Sequence, residues 1–186
     1  MKNIVVIWSS PNRDGLTASA AHSLIKGMEK GGASVEEVWL NGLDMQHCMA
    51  CGTGYGACRS EGACVLADGF QELYDKLVKA DGIAFVTAVY WHNVTEVMKA
   101  FTDRLRRCEA SHNHFLAEKK AYIAACAGGT GNGATECLVT LENTLRHMGI
   151  KVWDRMPVTR FNRDYNVPSL ERGGELFAER LETGFK

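Results

Sequence analysis

Ile4-Val5-Val6-Ile7 is a run of four β-branched apolar residues with no polar alternation, as in a strand buried on both faces. Such a strand needs cover on two sides, and the rest of the chain supplies it in a repeating order. Helical spacing puts Ala21, Leu24, Ile25 and Met28 on one face before Gly31-Gly32 ends that helix. Residues 34–40 read as a second strand. Asp68 is placed to cap a helix whose apolar stripe is Phe70, Leu73 and Leu77. Residues 82–87 form a third strand, followed by a helix with Val94, Val97, Phe101, Leu105 and Cys108 in register. Residues 121–127 form a fourth, followed by a helix carrying Leu138, Leu141, Leu145 and Met148. Residues 150–153 are a fifth strand, 155–168 read as irregular, and 170–181 as a terminal helix. Alternating units of this length imply a parallel sheet with helices on both faces. Right-handed crossovers and five strands give the order 2-1-3-4-5, with the ligand crevice past the strand C-termini, between strands 1 and 3.

The 186 residues suit one domain, and 46% hydrophobic and 23% charged residues are ordinary for a globular chain. A net charge of −1 gives no global attraction for nucleic acid or anionic lipid, and little field for steering a protein partner. No apolar run approaches the roughly 20 residues of a membrane span. The apolar start resembles a signal peptide only superficially, because Ser9, Ser10, Pro11, Asn12 and Arg13 break it too early; the expectation is a first buried strand in a cytoplasmic protein. Seven cysteines in a chain with a good core point to reduced thiols, a metal or cluster site, or redox work rather than a disulfide scaffold.

The loops after strands 1, 3 and 4 should meet at the crevice, and all three have unusual compositions. In the first, Ser9-Ser10-Pro11-Asn12-Arg13-Asp14-Gly15-Leu16-Thr17 places hydroxyls, an amide and a flexible glycine at a helix N-terminus, which suits a phosphate or simply a polar capped turn. No Walker lysine motif is present. In the second, Val89-Tyr90-Trp91-His92-Asn93 puts two aromatic residues and a histidine directly after a core strand. That suits a planar ring with an edge bonded to backbone and a face under an aromatic cover; the bland alternative is a core rim. In the third, Gly128-Gly129-Thr130-Gly131-Asn132-Gly133 lets backbone approach a ligand closely or makes an ordinary tight turn. Residues 129–134 also fit G-x-G-x-x-G/A, with Asp154 about 20 residues on, but too little chain follows to build that dinucleotide fold.

At these loops the chain resembles the NADPH-dependent FMN reductase family, including the iron-sulfur flavoproteins of the flavodoxin-like superfamily. The likeness covers residues 1 to about 150. The family's first loop reads like G-S-P-R-x-x-G-N-T. Ser10-Pro11, Gly15 and Thr17 match it, while Ser9 replaces the Gly, Asn12 the Arg and Leu16 the Asn. Its second reads like S-P-V-Y-W-G-N-V-S-x-x-M-K-A-F-x-D-R. Val89-Tyr90-Trp91, Asn93-Val94, Met98-Lys99-Ala100-Phe101 and Asp103-Arg104 match, with Ala88 for Pro and His92 for Gly. The resemblance implies a flavodoxin-like three-layer sandwich binding FMN. Ser10, Asn12, Gly15 and Thr17 would hold its phosphate. Val89, Tyr90, Trp91, His92 and Asn93 would line the ring, and Gly128, Gly129 and Thr130 would face its pyrimidine side. It further implies a ping-pong oxidoreductase: NAD(P)H reduces the flavin, which then reduces a small acceptor such as a quinone or flavin. His92 is the candidate proton donor. Relatives commonly form homodimers or homotetramers.

Cys48, Cys51, Cys58 and Cys64 follow the spacing C-x2-C-x6-C-x5-C. Four thiolates on one loop can ligate a 4Fe–4S cluster or zinc, Cys48 and Cys51 can form a redox disulfide, and all four can remain free thiols. The iron-sulfur flavoproteins resemble this segment but usually read C-x2-C-x2-C-x4-7-C, and the longer gap here is glycine-rich. With a cluster the alternative role is an electron carrier. Cys108, Cys126 and Cys137 read as small core residues. His112 and His114, and Arg155, Arg160 and Arg163, read as solvated or contact residues.

Overall fold

The computed structural model describes residues 1–181. In chain order its elements are β1 (Asn3–Ser9), α1 (Leu16–Lys30), β2 (Ser34–Trp39), α2 (Ala57–Ser60) and α3 (Gly69–Lys79). Then come β3 (Gly82–Ala88), α4 (Glu96–Cys108), β4 (Lys120–Ala127), α5 (Ala134–Arg146), β5 (Lys151–Thr159) and α6 (Arg163–Glu179). The five strands are parallel in the order β2-β1-β3-β4-β5. The apolar run that opens the chain is therefore the inner strand at the switch of winding direction. Its residues alternate between two cores. Ile4, Val6 and Trp8 pack with Leu24, Met28, Leu170 and Phe177 of α1 and α6. Val5 and Ile7 pack with Phe70, Leu77, Phe101 and Leu141 of α3, α4 and α5. Fully burying each such side chain contributes about 1.5–3 kcal/mol, so both faces hold the strand in register. Among the described residues no helix is long and apolar enough to cross a membrane.

The C-terminal third departs from expectation. β5 runs to Thr159 rather than stopping at Trp153. It is an edge strand bonded only to β4, past a register shift at Ala121/Tyr122, so Pro157 and the polar Asp154 and Arg155 are tolerated there. α6 begins at Arg163, well before residue 170, and runs through Pro168 and Gly173-Gly174 to Glu179. The glycines are spatial requirements. A Cβ on Gly174 would lie 2.4 Å from the Leu24 carbonyl oxygen, and one on Gly27 would lie 1.8 Å from that of Glu171. α1 and α6 thus pack backbone against backbone, and this contact offsets the low helix propensity of the glycines that permit it. Smaller differences are that β2 ends at Trp39, with a 3-10 turn at Leu40–Gly42, and that Val94 and Met148 flank their helices rather than belong to them. A single turn, α2, interrupts the long cysteine-bearing segment.

Candidate functional site

The loops after β1 and β3 are held together from beneath by buried hydroxyls. Thr95 Oγ1 donates to Ser9 Oγ (2.8 Å), and Ser9 Oγ donates to Thr87 Oγ1 (3.0 Å). All three residues are fully buried. Thr95 also caps α4, accepting from the Met98 amide at 3.3 Å. None of the three hydroxyls was singled out from sequence. The strand register was the available signal, since it sets Ser9 opposite Thr87.

Above this network the first loop folds on itself. The Asn12 amide donates to Ser10 Oγ (3.2 Å), and the Asp14 amide donates to Asn12 Oδ1 (3.2 Å). Trp39 Nε1 donates to the Ser10 carbonyl (2.9 Å), and Arg13 stacks on Trp39 at 4.3 Å. Gly15 precedes α1 without a side-chain cap and the first turn carries no acidic residue, so the amides there remain available to an anion. Thr17 is buried, close enough to Cys126 to hydrogen-bond its sulfur.

Tyr90 and Asn93 exchange backbone hydrogen bonds of 2.8 and 3.0 Å around Trp91 (φ 48°) and His92 (φ 66°). Two successive non-glycine residues with positive φ define a strained I′-type turn, a backbone state retained where the surroundings demand it. Trp91 is 96% exposed. The turn is wedged against the start of α5, where a Cβ on Gly133 would lie 2.9 Å from His92 Cα. His92 Nδ1 lies 3.6 Å from Glu136 Oε1, a solvent-exposed pair of little energetic weight. Val89, Trp91, His92, Gly128, Gly129 and Thr130 surround a recess of about 340 Å³. A Cβ on Gly128 or Gly129 would meet nothing within 4 Å. The structure therefore brings the second and third loops together around one open space. Ser10, Asn12 and Gly15 stand at the end of the adjacent strand and do not line that recess. Phe161, missed from sequence, joins the rim through its contact with Gly131.

A second recess lies beside α4. Cys48, Cys51, Cys58 and Cys64 line it together with Cys108, Arg104 and Arg107. Cys108 is fully buried as expected, yet it borders this space. Burial, with the neighbouring Cys58 and Cys64, pushes its thiol up to about 12. Arg104 and Asp68 form a bidentate pair (2.7 and 2.9 Å), each side chain 1% exposed. Burial alone would raise the Asp68 carboxyl, but bonds from Arg104 and the Gln46 and Phe70 amides bring it below its ordinary value. Arg107 donates to the Gly54 carbonyl and Asn113 to that of Gly62 (2.7 Å), pinning the segment along its length. The recess holds about 20 Å³, roughly one water, and no disulfide is formed. Among the described residues no three His, Cys, Asp or Glu side chains converge to hold a metal ion. His114 instead ends the π-turn after α4, and Arg155 pairs with Glu142 at 2.8 Å.

Free amides at α1, the Ser10 hydroxyl, and two glycines that line one recess with an exposed indole suit a phosphate-bearing planar ring such as FMN. In the thiol recess, Arg104 Nε–H is buried and has no acceptor at hydrogen-bond geometry. Five cysteines line the recess, but with room for about one water and no three ligating side chains converging it does not, as folded, fit a sulfide-bearing cluster.

A doubly wound parallel sheet whose loops after β1, β3 and β4 frame a cleft at its carboxyl edge defines a flavodoxin-like protein. The chain belongs to the NADPH-dependent FMN reductase family, whose model matches residues 2–159. An iron-sulfur flavoprotein of Archaeoglobus fulgidus is 29% identical over 83% of this chain and 64% of its own length. One from Methanosarcina thermophila is 30% identical over 72% of this chain and 66% of its own. The chain thus spans less than two thirds of the length of these relatives. Among solved structures, a flavone reductase superposes with a TM-score of 0.77 at 20% identity, over 97% of this chain and 63% of its own. An NAD(P)H:quinone oxidoreductase from Methanothermobacter marburgensis gives 0.72 at 20% identity, covering 99% and 98%.

Proposed function

We propose that the chain binds FMN across the three loops and passes electrons from NAD(P)H to a small acceptor such as a quinone or a free flavin. The observation that carries this reading is the recess framed by Trp91, His92 and the Gly128-Gly129 backbone, beside the uncapped start of α1. When bound, FMN supplies two-electron chemistry between donor and acceptor. Ser10, Asn12 and the α1 amides hold the phosphate. The loop beginning at Gly128 offers backbone N–H groups to negative charge on the ring edge. Trp91 covers one face of the ring, and His92 at the rim supplies a proton to a quinone-like acceptor, with Glu136 beside Nδ1. The exposed Trp91, Phe161 and Tyr165 favour a homodimer or homotetramer that covers this rim, and seven free cysteines favour a reducing, cytoplasmic setting. Anaerobic mixing of the FMN-loaded protein with NADPH or NADH tests the reading. Bleaching of the flavin by at least one donor supports it, and flavin left oxidised by both refutes it.

A second reading adds a 4Fe–4S cluster to the thiol recess and makes the chain an electron carrier. It is favoured by the four loop cysteines lining one recess and by relatives that are iron-sulfur flavoproteins, and it requires the segment to open, since the recess as folded takes about one water. Cys48, Cys51, Cys58 and Cys64 would be its ligands.

A further inference from the structure

A further recess opens at the carboxyl ends of β1 and β2, on the side of the phosphate loop away from β3. It holds about 330 Å³ and is lined by Trp8, Arg13, His22, Glu37 and Trp39. Trp8 and Trp39 are register partners on the two strands, with ring centroids 6.0 Å apart. Trp8 Nε1 donates to Glu37 Oε1 (2.7 Å), and His22 Nε2 lies 3.1 Å from the same oxygen. The indoles, the carboxylate and the imidazole thus hold one another in place. Arg13 is held differently. Its guanidinium lies 4.3 Å from the Trp39 ring centroid, and among the described residues it forms no hydrogen bond or ion pair. Stacking fixes the plane while the N–H groups around its edge stay free, which suits a two-bond grip on a phosphate. Arg13 is also exposed, so a planar base can stack on the guanidinium from the solvent side.

The recess shares a wall with the phosphate loop, because Trp39 Nε1 donates to the Ser10 carbonyl (2.9 Å). Gly128 and Gly129 follow β4, three strand spacings from β2, roughly 14 Å. An extended nicotinamide dinucleotide spans that distance, with its nicotinamide at the flavin ring and its adenosine beside Arg13. We propose that this recess takes the adenosine 2′-phosphate of the donor and makes the chain select NADPH over NADH. This rests on the reductase reading above and adds where the far end of the donor sits. Arg13 grips the 2′-phosphate, with His22 beside it. A carboxylate in such a place accepts from a bare ribose 2′-hydroxyl, whereas an arginine accommodates the phosphate. Here Glu37 Oε1 is taken by Trp8 and His22, and the guanidinium is the uncommitted group.

The test uses the full chain in two forms. Apo-protein, wild type and Arg13→Gln, is titrated with adenosine 2′,5′-bisphosphate and with 5′-AMP, followed by tryptophan fluorescence. Wild type should bind the bisphosphate at least tenfold more tightly than AMP, and Arg13→Gln should lose most of that difference. FMN-loaded protein is then reduced anaerobically by each donor. Arg13→Gln should lower the NADPH-to-NADH ratio of kcat/KM at least tenfold. Flavin left oxidised by both donors in wild type overturns the reductase reading, and this proposal with it. Wild type bleached by NADPH that binds the two nucleotides equally overturns this proposal alone. So does Arg13→Gln with the donor ratio unchanged, whether FMN affinity is kept or lost; a loss would make Arg13 a ligand of the flavin phosphate instead.

Discussion

Replacing Thr95 by valine keeps the shape and branching of the side chain but removes one oxygen. That oxygen caps α4 through the Met98 amide and donates to Ser9. Loss of an N-cap costs about 1 kcal/mol, and loss of a buried hydrogen bond about 1 kcal/mol more. The expected destabilisation is therefore about 2 kcal/mol, or roughly 4–8 °C in Tm for a chain of this size. Urea unfolding of the apo-protein measures it. Thr95→Ser, which preserves both bonds, should cost less. Because Ser9 precedes Ser10 at the phosphate end of the crevice, Thr95→Val should also weaken FMN binding. Ser9→Ala combined with Thr95→Val should be non-additive by at least about 0.5 kcal/mol, since the two share one bond. Thr95→Val within about 0.5 kcal/mol of wild type, or strict additivity with Ser9→Ala, would refute the view that this network joins the two loops.

Three other outcomes are expected. Gly129→Val fills space that touches no protein atom, so apo stability should change by less than about 0.5 kcal/mol while FMN affinity drops more than tenfold; unaltered affinity by fluorescence titration contradicts the placement. His92→Gln should leave flavin reduction by the nicotinamide donor intact but remove the histidine limb from the pH profile of quinone turnover, and an unchanged profile excludes His92 as proton donor. Cys108, Cys126 and Cys137 are each pushed by burial from an ordinary 9.0 up to about 12. The unfolded chain loses these protons first, so their contribution is complete below about pH 9 and declines as pH rises toward 12. The slope is up to about 1.4 kcal/mol per pH unit for each thiol. Urea midpoints that stay level between about pH 8 and 10.5 would contradict this.

Much of the architecture was legible because β1 carries an undivided apolar run and each following helix has a clean stripe. The winding order followed from connection rules rather than from any single residue. β5 and α6 were misjudged because Pro157 and Pro168 carry local signals that an edge position and the contact between α1 and α6 override. At the site, residue identities in the loops after β3 and β4 predicted their convergence. The positive φ values of Trp91 and His92 were hidden because neither residue is glycine. The Arg104–Asp68 pair was invisible because Asp68 read only as a helix cap and Arg104 only as part of a matching motif, and only tertiary packing buries them together. Cys108 read correctly as core, but its border with the other four cysteines depends on how the long segment folds back along α4.

The claim on which the functional account rests is that Ser10, Trp91 and Gly129 serve one flavin. Titrating the apo-protein anaerobically with FMN addresses it directly. The account predicts quenching of flavin fluorescence that saturates at one FMN per chain in the micromolar range, and free FMN emission undiminished by excess protein would contradict it.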